Sequence, residues 1–332
     1  GNKSRGVRES FEKPSSRCVV TRKLIFLIAI LIAPLCAFAQ EKTKVSLVLN
    51  WFPEMEHGGF YAAQVHGYYD DEGLDVTIIS GGVDVPVGPR VASQQSQFGV
   101  TNADNLIFAR AAEANIVALM APLQVSPRCI MVHESEGFKT LADLNDMTLA
   151  MNPKDAFSEF MKQNFPMKNI KIVPYPGSVA PFLADKRFGQ QAYNISEPFI
   201  AKKSGGDPKV LMLADAGWSP YSSLLVTSDE YAAKNPEIVK KMTRASIKGW
   251  VKYLDDPLKS NEQILKLNPE LGMDILDFGV KEMKPMVYAD GVTKETVGRM
   301  TAERWTKIVK QMEGLKLIKP GQVKPEDCFK PL

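Results

Sequence analysis

Apolar positions between residues 44 and 228 change rhythm repeatedly, from every second residue to every third or fourth. Lys44-Val45-Ser46-Leu47-Val48-Leu49 alternates and is β-branched, which predicts a strand. Pro53, in Asn50-Trp51-Phe52-Pro53, ends it. Phe60, Ala62, Ala63 and Val65 then fall at helical spacing, and Gly67 closes the helix. Further strands are expected at 75–79, 97–100, 116–120 and 128–132, with helices at 87–95 and 105–114 between them. The pattern restarts with a short helix at 141–144 and strands at 148–151, 170–173 and 191–194. Helices at 152–164 and 179–186 alternate with these strands. After an apolar run at 210–213, residues 218–227 read as a crossover back to the first unit. Long amphipathic helices follow near 236–254, 258–267 and 294–313. Trp250, Tyr253 and Trp305 lie on their apolar stripes and are expected in the core, and the proline-rich tail at 319–332 is expected to be loop.

Strand–helix alternation with short connections predicts α/β architecture, with mostly parallel sheets covered on both faces. Two such units give lobe I, residues 44–132 plus 222–332, and lobe II, residues 133–221. Ligands of such sheets bind beyond the carboxyl ends of the strands, in clefts between lobes. That places interest on the loops at 50–61, 80–82, 101–105, 151–158, 193–197 and 218–222.

Charge alters this picture at one end. The chain has 332 residues and a formal charge of +3, but residues 1–39 contribute +5, so the remainder is −2. A body this near neutrality, without a Lys/Arg stripe, excludes a nucleic-acid surface. Arg22-Lys23 precedes a run of about ten apolar residues, too short for a span of roughly 20, and Ala37-Phe38-Ala39 follows as a small-x-small cleavage site. The expectation is a cleaved export signal, with residues 1–19 an extension ahead of it and Val19 or Val20 the initiator. Ala33-Pro34-Leu35 is a poor lipid-attachment context for Cys36. An exported chain permits a Cys129–Cys328 disulfide, although two isolated thiols are more often free. His57, His66 and His133 are too scattered to suggest a metal site, and no cofactor is expected.

The loops facing the expected cleft also carry a family likeness. Asn50-Trp51-Phe52-Pro53, His57-Gly58-Gly59-Phe60-Tyr61-Ala62-Ala63-Gln64, Gly67-Tyr68-Tyr69 and Glu72-Gly73-Leu74-Asp75-Val76 resemble the opening of the sulfonate-binding and thiamine-pyrimidine-binding superfamily of solute-binding proteins. Val91-Ala92-Ser93, Phe98-Gly99-Val100, Leu141-Ala142-Asp143-Leu144, Asn235-Pro236 and Asp256-Pro257 continue the likeness in order. The resemblance implies a periplasmic-binding-protein type II fold. It also implies a monomer that delivers a small molecule to an ABC permease, the ligand being a thiamine pyrimidine precursor, a sulfonate, nitrate or riboflavin. A sensor's binding domain is a further option, without an attached signalling domain to support it. One branch of the superfamily is an enzyme, a pyrimidine-phosphate synthase that consumes its own lysine and histidine. Thr101 and Asn105 stand at the matching positions, and residues 217–223 contain no cysteine where that branch has a cysteine-rich motif.

The candidate ligand contacts are Asn50, Trp51, Tyr61, Asn102, Asp104, Asn152, Tyr193, Glu197, Trp218 and Tyr221. The aromatic faces, with Phe52 beside them, suit a flat heteroaromatic ring. Glu197 is placed to accept from an exocyclic amine, a charge-assisted bond, or to pair with Lys202 or Lys203. Asn102 and Asp104 have a strong rival reading as plain helix caps. In Asn152-Pro153-Lys154-Asp155, Pro153 removes an N–H donor and Asp155 adds negative charge, partly offset by Lys154 and Arg128. That loop suits a neutral or amine-bearing ligand better than a sulfonate.

Overall fold

The computed structural model describes residues 41–330, together with Ser10. The expected signal segment, its cleavage site at Ala39 and Cys36 lie outside the described residues. Two five-stranded sheets organise the chain. The first has the order β2-β1-β3-β10-β4, from β1 (Thr43–Val48), β2 (Leu74–Ile79), β3 (Phe98–Thr101), β4 (Ile116–Met120) and β10 (Leu224–Ser228). The second has the order β7-β6-β8-β5-β9, from β5 (Arg128–His133), β6 (Asn145–Ala150), β7 (Lys168–Val173), β8 (Phe188–Tyr193) and β9 (Pro208–Met212).

Neither sheet is wholly parallel. β10 runs antiparallel to β3 and β4, and β5 runs antiparallel to β8 and β9. The reason is the path of the chain. Strands β1, β3, β4, β6, β8 and β9 end at the face between the lobes. A chain leaving β4 there must enter the second sheet running away from that face, and a chain leaving β9 must do the same on its return. The two reversed strands are therefore the two crossover strands. This moves the lobe boundary: β5, expected in lobe I, is hydrogen-bonded into the second sheet, so the chain crosses before Arg128.

The two crossings touch each other. Leu123 and Ser222 exchange backbone hydrogen bonds of 3.3 and 3.1 Å. Arg304, on the helix Ala302–Gly314, donates to the carbonyls of Gln124 and Ser219, both at 2.8 Å, and lies 4.3 Å from the centre of the Tyr221 ring. One guanidinium thus ties both connections to the same helix.

Trp250, Tyr253 and Trp305 are fully buried, as their spacing predicts. Gly58 and Gly59 explain part of this: a Cβ at Gly58 would lie 2.0 Å from the Tyr253 ring, and one at Gly59 would lie 2.2 Å from Trp250. The glycines of His57-Gly58-Gly59 allow the helix Gly58–Val65 to press onto Pro236–Asp255. Helices Glu197–Lys203 and Met273–Val287 were not anticipated from periodicity. The helix expected from residue 152 begins at Ala156, because Asn152 and Pro153 form a turn instead. The tail is held rather than free: Lys330 N–H donates to the Ala118 carbonyl at 2.9 Å. Cys129 and Cys328 are both buried free thiols, one in the second sheet's core and one packed against the first.

Candidate functional site

Strand ends converge on a cleft of about 630 Å³, within the roughly 300–1,000 Å³ usual for small-molecule sites. Asn50 and Trp51 enter from the end of β1, Thr101 and Asn102 from β3, Asn152 from β6, Tyr175 from beyond β7 and Tyr193 from β8. Arg128 enters from the start of β5. Gly81 sets the position of Trp51. Its N–H donates to the Trp51 carbonyl at 3.0 Å, and a Cβ there would lie 2.2 Å from the Leu49 carbonyl oxygen and 2.5 Å from the Trp51 nitrogen.

The first-lobe wall is a short turn, Met55–His57, leading into the helix Gly58–Val65. His57 is fully buried, and burial lowers its imidazole to about 3, so the ring is neutral at physiological pH. Its Nδ1 accepts from the Glu54 N–H at 3.3 Å, which leaves the proton on Nε2 to be donated to Asn50 Oδ1 at 3.0 Å. Asn50 is thereby oriented with its NH2 group without a hydrogen-bond partner among the described residues. Glu54 and Glu56 precede this histidine on the same turn. Burial pushes Glu56 up to about 8, and Glu54 is raised well above the usual range by burial and by the neighbouring Glu56 and Glu197.

The second-lobe wall is built differently. Glu197 opens the helix Glu197–Lys203; its Oε2 accepts from the Tyr193 N–H at 2.8 Å and its Oε1 from the Tyr175 hydroxyl at 3.0 Å. Burial still raises it, with these donors working in the opposite direction. The alternative pairing with Lys203 is absent, since Lys203 reaches Asp274 at 2.6 Å. Arg128 stacks between Tyr193 and Phe157, 4.4 and 4.9 Å from the ring centres. Burial opposes its charge, and nearby Tyr193, Asp155 and Glu197 outweigh that effect. A hydrogen bond joins the walls: Asn102 Nδ2 donates to the Tyr193 hydroxyl at 3.0 Å.

Asn50, Trp51, Asn102, Asn152, Tyr193 and Glu197 therefore share one cleft. Asp104 and Trp218 line a small recess of about 30 Å³ that adjoins it at Asn102, Arg128 and Tyr193. Burial raises Asp104 to about 6. Asn102 does occupy the N-cap position, but its side chain makes no capping bond; its Oδ1 accepts instead from Ser223 N–H at 3.1 Å. Asn152 spends its side chain on its own turn, accepting from Lys154 N–H at 3.2 Å and donating to Asp155 at 3.1 Å.

Two expected contacts lie elsewhere. Tyr61 is 1% exposed and packs in the first-lobe core. Tyr221 belongs to the crossover, where its hydroxyl accepts from Thr301 N–H at 3.1 Å under Arg304. Glu54, Glu56, Tyr175 and Gln191 line the cleft without having been singled out in the sequence. Only Glu54 and Glu56 carried a signal, two acids beside the Trp51 motif. Among the described residues no group of three or more His, Cys, Asp or Glu is arranged to hold a metal.

Two α/β lobes linked by two crossings, with a cleft at the strand ends, define a protein of the periplasmic-binding-protein type II class. The fold is that of the periplasmic aliphatic sulphonate binding protein SsuA of Escherichia coli, with a TM-score of 0.68 at 15% identity over 87% of this chain and 92% of that one. Residues 54–260, well over half the chain, match the family described as NMT1/THI5 like, and the chain belongs to it. It is 21% identical to the riboflavin-binding protein RibY of Chloroflexus aurantiacus, over 83% of this chain and 82% of that protein. It is 22% identical to the formylaminopyrimidine-binding protein of Halalkalibacterium halodurans, over 86% of this chain and 89% of that protein. It is also 24% identical to the 4-amino-5-hydroxymethyl-2-methylpyrimidine phosphate synthase THI11 of Saccharomyces cerevisiae, over 70% and 73%.

Proposed function

We propose that this protein is an extracytoplasmic solute-binding protein that captures an aromatic nitrogen heterocycle bearing an amino group and delivers it to an ABC permease. One observation carries the reading: the acidic and basic side chains lining the cleft are five carboxyl groups, Glu54, Glu56, Asp84, Asp155 and Glu197, against the one guanidinium of Arg128. Even with Glu54 and Glu56 held protonated by burial, such a lining brings one cation to a sulfonate or nitrate, and it offers several carboxyl acceptors to amine donors. Trp51, Tyr175 and Tyr193 supply aromatic surface for a flat ring. The name of the formylaminopyrimidine-binding relative is consistent with this chemistry.

Binding without turnover is favoured over synthase chemistry. Thr101 and Asn105 offer neither an amine nor an imidazole where the resemblance places the reactive lysine and histidine. The 630 Å³ cleft is larger than one substituted pyrimidine needs, which favours a flavin as the second reading. Calorimetric titration with 4-amino-5-hydroxymethyl-2-methylpyrimidine, riboflavin and an alkanesulfonate separates the classes. Micromolar or tighter binding of the aminopyrimidine alone is the expected result. Tight binding of the sulfonate alone would overturn the charge argument.

A further inference from the structure

Glu56 and Glu197 face the same cleft with opposite provisions. Glu197 is held by two protein donors. Glu56 is 3% exposed, lines the cleft, and among the described residues accepts no hydrogen bond. The His57 ring lies beside it, with Nε2 3.5 Å from Glu56 Oε1. That ring is neutral and its proton is already donated to Asn50, so the contact is not an ion pair. The other charged or titratable groups acting on Glu56 are Glu54 on the same turn, Glu197 and Tyr193 across the cleft, and Arg128 at the start of β5. Arg128 is stacked between two rings on the second-lobe wall and serves Asp155 and Glu197 as well. A nine-tenths-buried carboxyl that lines a ligand cleft and has no hydrogen-bond donor among the described residues lacks what burial of a charge requires.

We propose that the ligand supplies that donor as a cation: Glu56 selects a nitrogen base bound in its protonated form, with a ring N–H and an adjacent amine presented together to the carboxylate. An aminopyrimidine protonated on the ring nitrogen beside its amino group has this amidinium-like fork, and it matches a carboxylate as arginine does, through two parallel bonds. The proton balance is simple. A proton held by the carboxyl in the empty cleft passes to the ring nitrogen on binding, or it is taken from solvent when the carboxyl is already ionised. The inference rests on the reading of the cleft as a heterocycle site and adds the charge state of the ligand and the residue that sets it.

The test uses the full chain and 4-amino-5-hydroxymethyl-2-methylpyrimidine at about pH 7.5, where a simple aminopyrimidine is neutral in water. Ultraviolet difference spectroscopy reads the ring's protonation state directly. The bound probe is expected to show the spectrum of the protonated ring. Glu56→Gln is expected to bind at least about tenfold more weakly and to show the neutral spectrum. A neutral spectrum in the unaltered protein overturns the proposal without any variant, and so does a Glu56→Gln protein that keeps both affinity and the protonated spectrum. No binding of the probe to the unaltered protein sinks the pyrimidine reading itself, together with this proposal. Binding of the neutral ring sinks the proposal alone.

Discussion

The two walls of the cleft hold their carboxylates in contrasting ways. On the second-lobe wall Glu197 starts a helix and is pinned by the Tyr193 N–H and the Tyr175 hydroxyl. On the first-lobe wall Glu56 sits beside a neutral histidine and, among the described residues, has no hydrogen-bond donor of its own. A pinned acid contributes to the fold whether or not a ligand is present. A bare one costs stability when empty and is relieved when a donor arrives. The contrast predicts opposite signs for similar substitutions, and it separates residues that build the cleft from residues that wait for its occupant.

The largest effect is expected from Trp51, the aromatic surface on the first-lobe wall. Trp51→Ala should weaken binding of the aminopyrimidine by about 30-fold or more, the scale of a truncated aromatic anchor, with an unchanged circular dichroism spectrum. Normal affinity by calorimetry would remove Trp51 from the site. Next comes Glu197→Ala, which leaves two donors without an acceptor. It should lower unfolding free energy by about 1–3 kcal/mol in urea titrations as well as weaken binding about tenfold. A variant that binds weakly yet unfolds like the unaltered protein would show that the pinning bonds matter little.

Glu56→Gln should act in the reverse sense on the empty protein. Burial raises the Glu56 carboxyl from an ordinary value near 4.5 to about 8. Between those values the folded chain holds more protons than the unfolded chain, so stability falls as pH rises across the window and the loss is complete above about pH 8. The glutamine variant should show a shallower fall in Tm from about pH 5 to about pH 8, each kcal/mol appearing as about 2–4 °C. Parallel curves for the two proteins would mean that Glu56 does not titrate there. The smallest effect belongs to the bond between the walls. Tyr193→Phe removes the acceptor for Asn102 and should raise Kd by about threefold to tenfold, in keeping with one neutral hydrogen bond. An unchanged Kd would show that closure does not depend on this contact.

Much of the molecule could be read along the chain because local spacing and global packing agree there. Eight of the ten strands, the first helix, and the burial of Trp250, Tyr253 and Trp305 follow from periodicity, whereas β9 reads only as an apolar run and β10 lies inside the segment read as a crossover. The lobe boundary did not, because the pattern of β5 is the same whichever sheet it joins. Six of the ten candidate contacts reach the cleft, since strand ends are legible from where alternation stops. Tyr61 and Tyr221 were misplaced for a common reason. Each lies in a loop or helix next to the cleft, and only the rotation of the backbone decides whether an aromatic side chain faces ligand or core.

By itself the sequence determined that this chain makes two α/β units with a cleft at their strand ends, because alternation, helical spacing and proline or glycine stops are local properties. It also carried the Trp51 motif and Glu197, which sit where strands end. The tertiary structure alone decided which acids share a charge environment. Glu56 and Glu197 are 141 residues apart in the chain, and their mutual repulsion arises only when the two lobes face each other, while the stacking of Arg128 on Tyr193 and Phe157 and the neutral state of His57 arise only when each lobe packs around them. Electrostatic character depends on distance and on exclusion of water, and neither is written in the spacing of residues along one strand.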